Sequence, residues 1–351
     1  MRMKSGKRIV FLAACIMAGG VSAWGQDLYR MNADGSIWEY TGQPCNANGC
    51  GGWMELDSNP GTYMIASSGI NLYQMHTDGS IWEYTGTPCI ANDCAGWVML
   101  DDNPQGAAIG TGPGGTLYQI HWDSSIWQYT GQICISGYCP GWALLNVSLP
   151  GVLTAGASLY FGETGNAYIY EYPGTPCSGG ICPAWPSTNN PYYDGTLAAG
   201  PSYLYIIGSG NSLWQLTPKG PCLPHKYCFS GWLQVDNNPD TGYIFAGDAG
   251  FYQMHYSDRS IWYYTGPTCI GNNCGGWIKI DSNPFSVSVV VGSNTVYQYR
   301  GDGTAWQYTG TPCNTNGCPG WQQIDGPADW LVPMYYVAGP IPFNPGFQIP
   351  R

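Results

Sequence analysis

LYQMHTDGSIWEYTGTPCIANDCAGWVMLDDNP, residues 72–104, recurs with drift from one end of the chain to the other. It opens with an apolar run, Leu72 to His76, turns at Asp78-Gly79, and continues as Ile81-Trp82-Glu83-Tyr84-Thr85. Aromatic and branched residues suit a pleated surface, and Asp-Gly between two such runs is a hairpin signal. A loop from Cys89 to Cys94 follows, then a third run around Gly96-Trp97-Val98-Met99-Leu100 that stops at Asp102-Asn103-Pro104, where Asx residues and proline favour a turn. Nothing in the unit has helical period.

The first cysteines of the copies are Cys45, Cys89, Cys134, Cys177, Cys222, Cys269 and Cys313, separated by 44, 45, 43, 45, 47 and 44 residues. Seven copies at that period define a repeat architecture. Between copies lies a small apolar run: Thr62 to Ser67, Ala107 to Thr111, Gly151 to Ala157, Thr196 to Gly200, Gly242 to Gly247 and Ser286 to Gly292. Four strands per repeat without helix make the blade of a β-propeller, so the expected fold is all-β: a seven-bladed β-propeller of four-stranded antiparallel blades. The first copy starts with its second strand at Leu28, and its missing inner strand is expected from the other end, Leu331 to Gly339. Pairing that stretch with Leu28 to Asn32 would close the ring and remove the last exposed sheet edges. Copies four and five depart most: Tyr160-Phe161-Gly162-Glu163 replaces the Tyr-Gln-Met-His pattern and Trp185 precedes Pro186, while the fifth has Ile206-Ile207-Gly208.

Three segments are expected: a signal peptide over 1–23, the propeller over 24–339, and a Pro-rich tail over 340–351. Arg2, Lys4, Lys7 and Arg8, an apolar run from Ile9 to Met17 and the small end Val21-Ser22-Ala23 have the layout of a secretory signal, with cleavage expected after Ala23. Leu12-Ala13-Ala14-Cys15 also resembles a lipoprotein box, which makes a lipid anchor through Cys15 the alternative to a secreted or periplasmic protein. No later run is long and apolar enough to span a bilayer. After cleavage 7 Lys+Arg face 22 Asp+Glu, a net charge of −15, which argues against nucleic acid and anionic membranes as partners. With 9% charged and 15% aromatic residues, hydroxyls, amides and rings are left to meet neutral ligands.

Fourteen cysteines form one pair per copy: Cys45–Cys50, Cys89–Cys94, Cys134–Cys139, Cys177–Cys182, Cys222–Cys228, Cys269–Cys274 and Cys313–Cys318. An even count behind an export signal points to seven disulfides within blades, whereas a metal needs four ligands on one ion. His76, His121 and His255 share one repeat position, but in copies two, three and six, too far around a ring to meet at one ion. No metal and no cofactor are therefore expected. Glu39, Glu83 and Glu171 alternate with Gln128, Gln215 and Gln307 at a third-strand position, with Tyr263 in copy six. Gln cannot carry a proton, so this interchange suits hydrogen bonds to hydroxyls, and no catalytic residue or enzyme activity is expected.

The unit Leu-Tyr-x-x-x-x-Asp-Gly-x-Ile-Trp-x-Tyr followed by Gly-Trp-x-x-Leu-Asp resembles the repeats of tectonin-type and related β-propeller lectins, over residues 28–339. That resemblance implies sugar pockets between neighbouring blades, with a ring under the apolar face of the sugar and polar groups on its hydroxyls. The residues with that chemistry are Gln74, His76, Trp82 and Glu83 in copy two, Gln119, His121, Trp127 and Gln128 in copy three, and Gln253, His255 and Trp262 in copy six. The leading expectation is a secreted, multivalent, carbohydrate-binding protein with glycans or glycoconjugates as partners; the alternative is an extracellular structural or adhesive scaffold with a protein partner. The Asp-Gly turns are expected on the same face as the Asn-Pro turns, with the cysteine loops on the opposite face.

Overall fold

The computed structural model describes residues 28–68, 71–90, 93–147, 151–163, 168–217, 231–326 and 335–337. The expected signal segment, Cys15, the Cys222–Cys228 pair and the tail lie outside the described residues.

Seven antiparallel sheets follow one another around a ring. Blade two consists of Thr62–Ser67, Leu72–His76, Ile81–Tyr84 and Trp97–Asp101, from the inner strand to the outer. Blade one is built from both ends of the chain: Tyr335–Val337 pairs antiparallel with Tyr29–Met31, in the register Tyr29↔Val337. Blade six comprises Thr241–Gly247, Gly250–His255, Ile261–Tyr264 and Trp277–Asp281. Six sheets have four strands; blade four has three, its outer strand reduced to the bridge Tyr170↔Ser187. Proline has no N–H to donate to a ladder, and Pro186 sits beside that bridge. Among the described residues there is no α-helix, and none of the elements is a helix long and apolar enough to cross a membrane.

The core is a series of wedges between blades. Ala66, Tyr73, Met75, Ile81 and Leu100 of blade two pack on Ile109 and Leu117 of blade three, and corresponding clusters fill the other gaps. Fully burying such side chains stabilises the ring by about 1.5–3 kcal/mol each. Tryptophans at the outer strands cross the gaps with a hydrogen bond, except Trp185 of blade four, whose buried Nε1 has no partner among the described residues: Trp97 Nε1 donates to the Leu56 carbonyl (3.0 Å), Trp142 to Leu100 (3.1 Å), Trp277 to Val235 (2.9 Å) and Trp321 to Ile280 (2.7 Å). Trp53 makes the same bond to Ile324 (3.0 Å) and so joins blade one to blade seven.

Six disulfides, all within their own blade, link the cysteines outside copy five. Their loops do not stay on the face opposite the Asp-Gly turns, as the sequence reading expects. Each turns outward along the preceding blade. The Cys89 N–H donates to Glu55 O (3.2 Å), Cys134 to Met99 O (3.2 Å), and Cys45 across the closure to Gln323 O (2.9 Å). The second sulfur then reaches the preceding blade's Asn-Pro turn, with Cys94 Sγ 3.6 Å from Ser58 Oγ and Cys139 Sγ 3.4 Å from Asp102 Oδ1. Outer-strand carbonyls would otherwise form an open sheet edge, and the loops cover it.

Candidate functional site

Alternation of side chains along Leu72–His76 and Ile81–Tyr84 divides the expected sugar pocket between two gaps. Gln74 lies opposite Trp82, and Tyr73 opposite Glu83. Gln74 bonds to blade one, whereas Tyr73 packs with Ile109, Leu117 and Tyr129 of blade three. Trp82 and Glu83, adjacent in sequence, therefore serve different gaps; they cannot line one pocket.

The glutamines are interior. Gln74, Gln119 and Gln253 are each 1% exposed. Their amides donate to carboxylates of the preceding blade: Gln74 Nε2 to Asp57 Oδ2 (2.7 Å), Gln119 to Asp101 (2.9 Å), Gln253 to Asp236 (2.7 Å). Gln298 repeats the bond to Asp281, and at the closure Arg30 replaces glutamine in an ion pair with Asp325. This polar latch is consumed by blade packing and is not open to a ligand. It was legible as a coupled pattern within the chain. Where the outer strand loses its Asp, as at Asn146, the next blade has Phe161, and after blade four's shortened outer strand the next blade has Ile206. Both apolar replacements are fully buried.

The histidines are ring-stacked on the tryptophans, His76 on Trp82 (5.7 Å, 27°), His121 on Trp127 (5.4 Å, 27°) and His255 on Trp262 (5.4 Å, 26°). Below them runs a relay: Trp82 Nε1 donates to Ser80 Oγ (3.0 Å), and Asp78 Oδ1 accepts the Ser80 N–H (2.9 Å). Serine hydrogen bonds hold the Asp78 carboxyl below its usual range, and the same holds for Asp34 and Asp123. The Asp-Gly element is thus an Asx turn carrying a tryptophan. Gly79 has φ +88°, and a Cβ there would lie 2.4 Å from Asn103 O, so the Asp-Gly and Asn-Pro turns share a face as expected. The Asn-Pro element is a turn as well: Asn59 Oδ1 accepts the Gly61 N–H (2.8 Å) and Asn103 Oδ1 that of Gln105 (3.0 Å).

Burial lowers the affinity of His76, His121 and His255 for a proton, against the pull of nearby aspartates. In blade six His255 Nδ1 lies 3.7 Å from Asp240 and 3.9 Å from Asp258, a trio with metal-ligand composition. The tautomer opposes that use. Asn238 Oδ1 accepts the Asp240 N–H (3.0 Å), so its Nδ2 faces and donates to His255 Nε2 (3.1 Å). The ring proton then sits on Nδ1, the nitrogen that faces the acids.

A cleft stays open where the third strand of blade six faces blade seven. The cleft between blades six and seven, about 680 Å³, is lined by Tyr252, Tyr263, Ile278, Ile280, Thr295 and Tyr308. Tyr252 and Tyr263 are 5.2 Å apart with planes inclined by 39°. In blade two the Tyr263 position holds Glu83, half-buried, its carboxyl pushed up by burial against the counter-effect of the Tyr73 hydroxyl. Gln128 occupies the equivalent place in blade three.

No family model matches the chain, and no curated protein matches it in sequence. Among solved structures it is similar to Prp20p from Saccharomyces cerevisiae, at 10% identity and TM-score 0.48 over 83% of this chain and 82% of that one. It is also similar to human WBSCR16, at 9% identity and TM-score 0.49 over 80% of this chain and 87% of that one. AztD from Citrobacter koseri gives 11% identity and TM-score 0.47 over 86% and 83%. These neighbours are seven-bladed β-propellers, a likeness of fold.

Proposed function

We propose that this chain is a non-enzymatic protein-interaction scaffold working outside the cytosol, and that it docks through the cysteine-loop tips of blades two, three and four. The observation that carries this reading is an arc of exposed apolar side chains: Ile90 is 72% exposed, Ile135 69%, Tyr138 71% and Ile181 77%. Each tip is fixed by a disulfide and a small bridge, such as Ile90↔Asp93 or Ile135↔Tyr138. Rigid apolar anchors lose little entropy on docking, and a cluster of them marks an interaction surface. Ile270 of blade six repeats the pattern at 85% exposure, whereas blades one and seven, with the bridges Asn46↔Gly49 and Asn314↔Gly317, form a polar stretch of the rim. Six disulfides suit an oxidising compartment, and the exchange of Glu for Gln or Tyr at the third-strand position from blade to blade supports binding over catalysis. The test is a triple variant, Ile90→Asn, Ile135→Asn and Ile181→Asn, compared with the parent by crosslinking on its native extracellular material. The reading expects the crosslinked partner to disappear while circular dichroism and melting stay unchanged; a partner retained by the folded variant would refute it.

Glycan binding is the second reading, favoured by the 680 Å³ cleft of tyrosines, Thr295 and aliphatic side chains between blades six and seven. Tyrosine faces and hydroxyls suit a sugar's C–H patch and its hydroxyls. Of the residues first expected in a pocket, Glu83 and Gln128 hold the equivalent cleft positions in blades two and three. A glycan array decides it: Tyr263→Ala and Tyr308→Ala should abolish any signal that belongs to this cleft.

A further inference from the structure

We propose that the turn between the second and third strands of blade six is a binding site for a hydroxylated ring carboxylate, the chemistry of an acidic sugar residue. The turn is unlike its counterparts. From His76 to Ser80 is four residues, but from His255 to Ser260 is five. Arg259 occupies the place of Gly79 with φ +57°, a left-handed conformation that glycine adopts without strain. Its guanidinium lies over two exposed rings, 5.5 Å from the centroid of Tyr243 and 5.8 Å from that of Tyr256. Tyr256 is 66% exposed and Tyr243 39%. Arg30, Lys279 and Arg300 each have a carboxylate within 4.0 Å; among the described residues Arg259 is the cation without one. In a chain of net charge −11, an unpaired arginine held in a disfavoured conformation on a tyrosine platform is poised for an outside anion.

Neighbouring groups narrow the ligand. Asp240 and Asp258 stand beside the turn, Asp240 accepting from Ser257 N (3.0 Å) and Ser257 Oγ (2.6 Å). Carboxylates there repel a polyanion but accept hydrogen bonds from hydroxyls. One carboxylate for Arg259, hydroxyls for Asp258 and Ser257, and a C–H face for a tyrosine describe a uronic acid. The site uses none of the rim-tip residues named above and none of the residues that line the blade six–seven cleft, so it stands or falls independently of both readings above.

The probe is galacturonate itself, one ring with one carboxylate, titrated into the purified protein by calorimetry beside neutral galactose. Binding of the uronate, weakened by salt, with no heat from the neutral sugar is the expected result. Arg259→Gly removes the charge and the backbone strain together, so it should lose binding by about tenfold or more while its melting temperature does not fall. Tyr256→Ala should weaken binding as well. The proposal is overturned if the uronate gives no heat, if the neutral sugar binds equally, if Arg259→Gly binds undiminished, or if inorganic sulfate binds as tightly as the uronate does.

Discussion

Gln253 illustrates how much of the ring depends on single polar side chains. Its amide bridges Asp236 of the preceding blade and Thr241 of its own, at 2.7 Å each. Gln253→Ala leaves a carboxylate buried without its donor, and the expected cost is about 2–3 kcal/mol in urea unfolding. At the closure, Arg30→Gln rebuilds the ordinary latch and should cost less than Arg30→Ala. The stacked histidines set a pH dependence whose sign follows from burial. Because His76, His121 and His255 hold protons less tightly than the ordinary value of 6.5, the unfolded chain takes up protons that the folded rings refuse. Their contribution is fully present above about pH 6.5 and is lost as pH falls from there through the folded values. Urea midpoints from pH 8 to pH 5 should fall, and a triple His→Gln variant should flatten that profile. The aspartates held below 3.8 act in a separate, more acidic window, where stability present above 3.8 is lost as pH falls further.

The cysteine loop is the element whose role changes most between sequence and structure. Read locally, it staples one blade; in the fold its first N–H also bonds to the neighbouring outer strand, as from Cys177 to Leu144 O (2.8 Å). Replacing Cys89 and Cys94 by serine should cost about 2 kcal/mol from loop entropy alone. It should also free the Glu55 carbonyl, so hydrogen exchange in blade two's loop should rise together with that of blade one's outer strand. Exchange confined to the loop would mean that it does not clasp its neighbour.

Closure is the property of the whole molecule. Three contacts repeated at most junctions recur across blades seven and one: the latch as Arg30 with Asp325, the tryptophan bond as Trp53 to Ile324, and the loop bond as Cys45 to Gln323. Tyr335–Val337 adds the inner strand. Deleting residues 331–351 removes that strand, so it should open an edge at Tyr29–Met31 and give concentration-dependent association in light scattering without unfolding the other blades. A monomeric truncated chain would show that the three remaining contacts suffice.

The sequence by itself determined the blade number, the order of strands, the turns and the closing segment, because each rests on short-range signals repeated at a fixed period. It also carried the Gln–Asp latch, visible as the joint loss of Asp for Asn146 and Gln for Phe161. Direction across the gaps was decided only by the tertiary structure. A bulge between the partners of Ile81 and Trp82 lets Leu100 and Asp101, neighbours in one strand, both face blade three. Strict alternation would put them on opposite faces. The same pleat separates Trp82 from Glu83, and the bend of the cysteine loop over the preceding blade is set by carbonyls 33 to 35 residues earlier in the chain, or at its other end for Cys45. Local propensity has no term for a partner that distant; packing of whole blades supplies it.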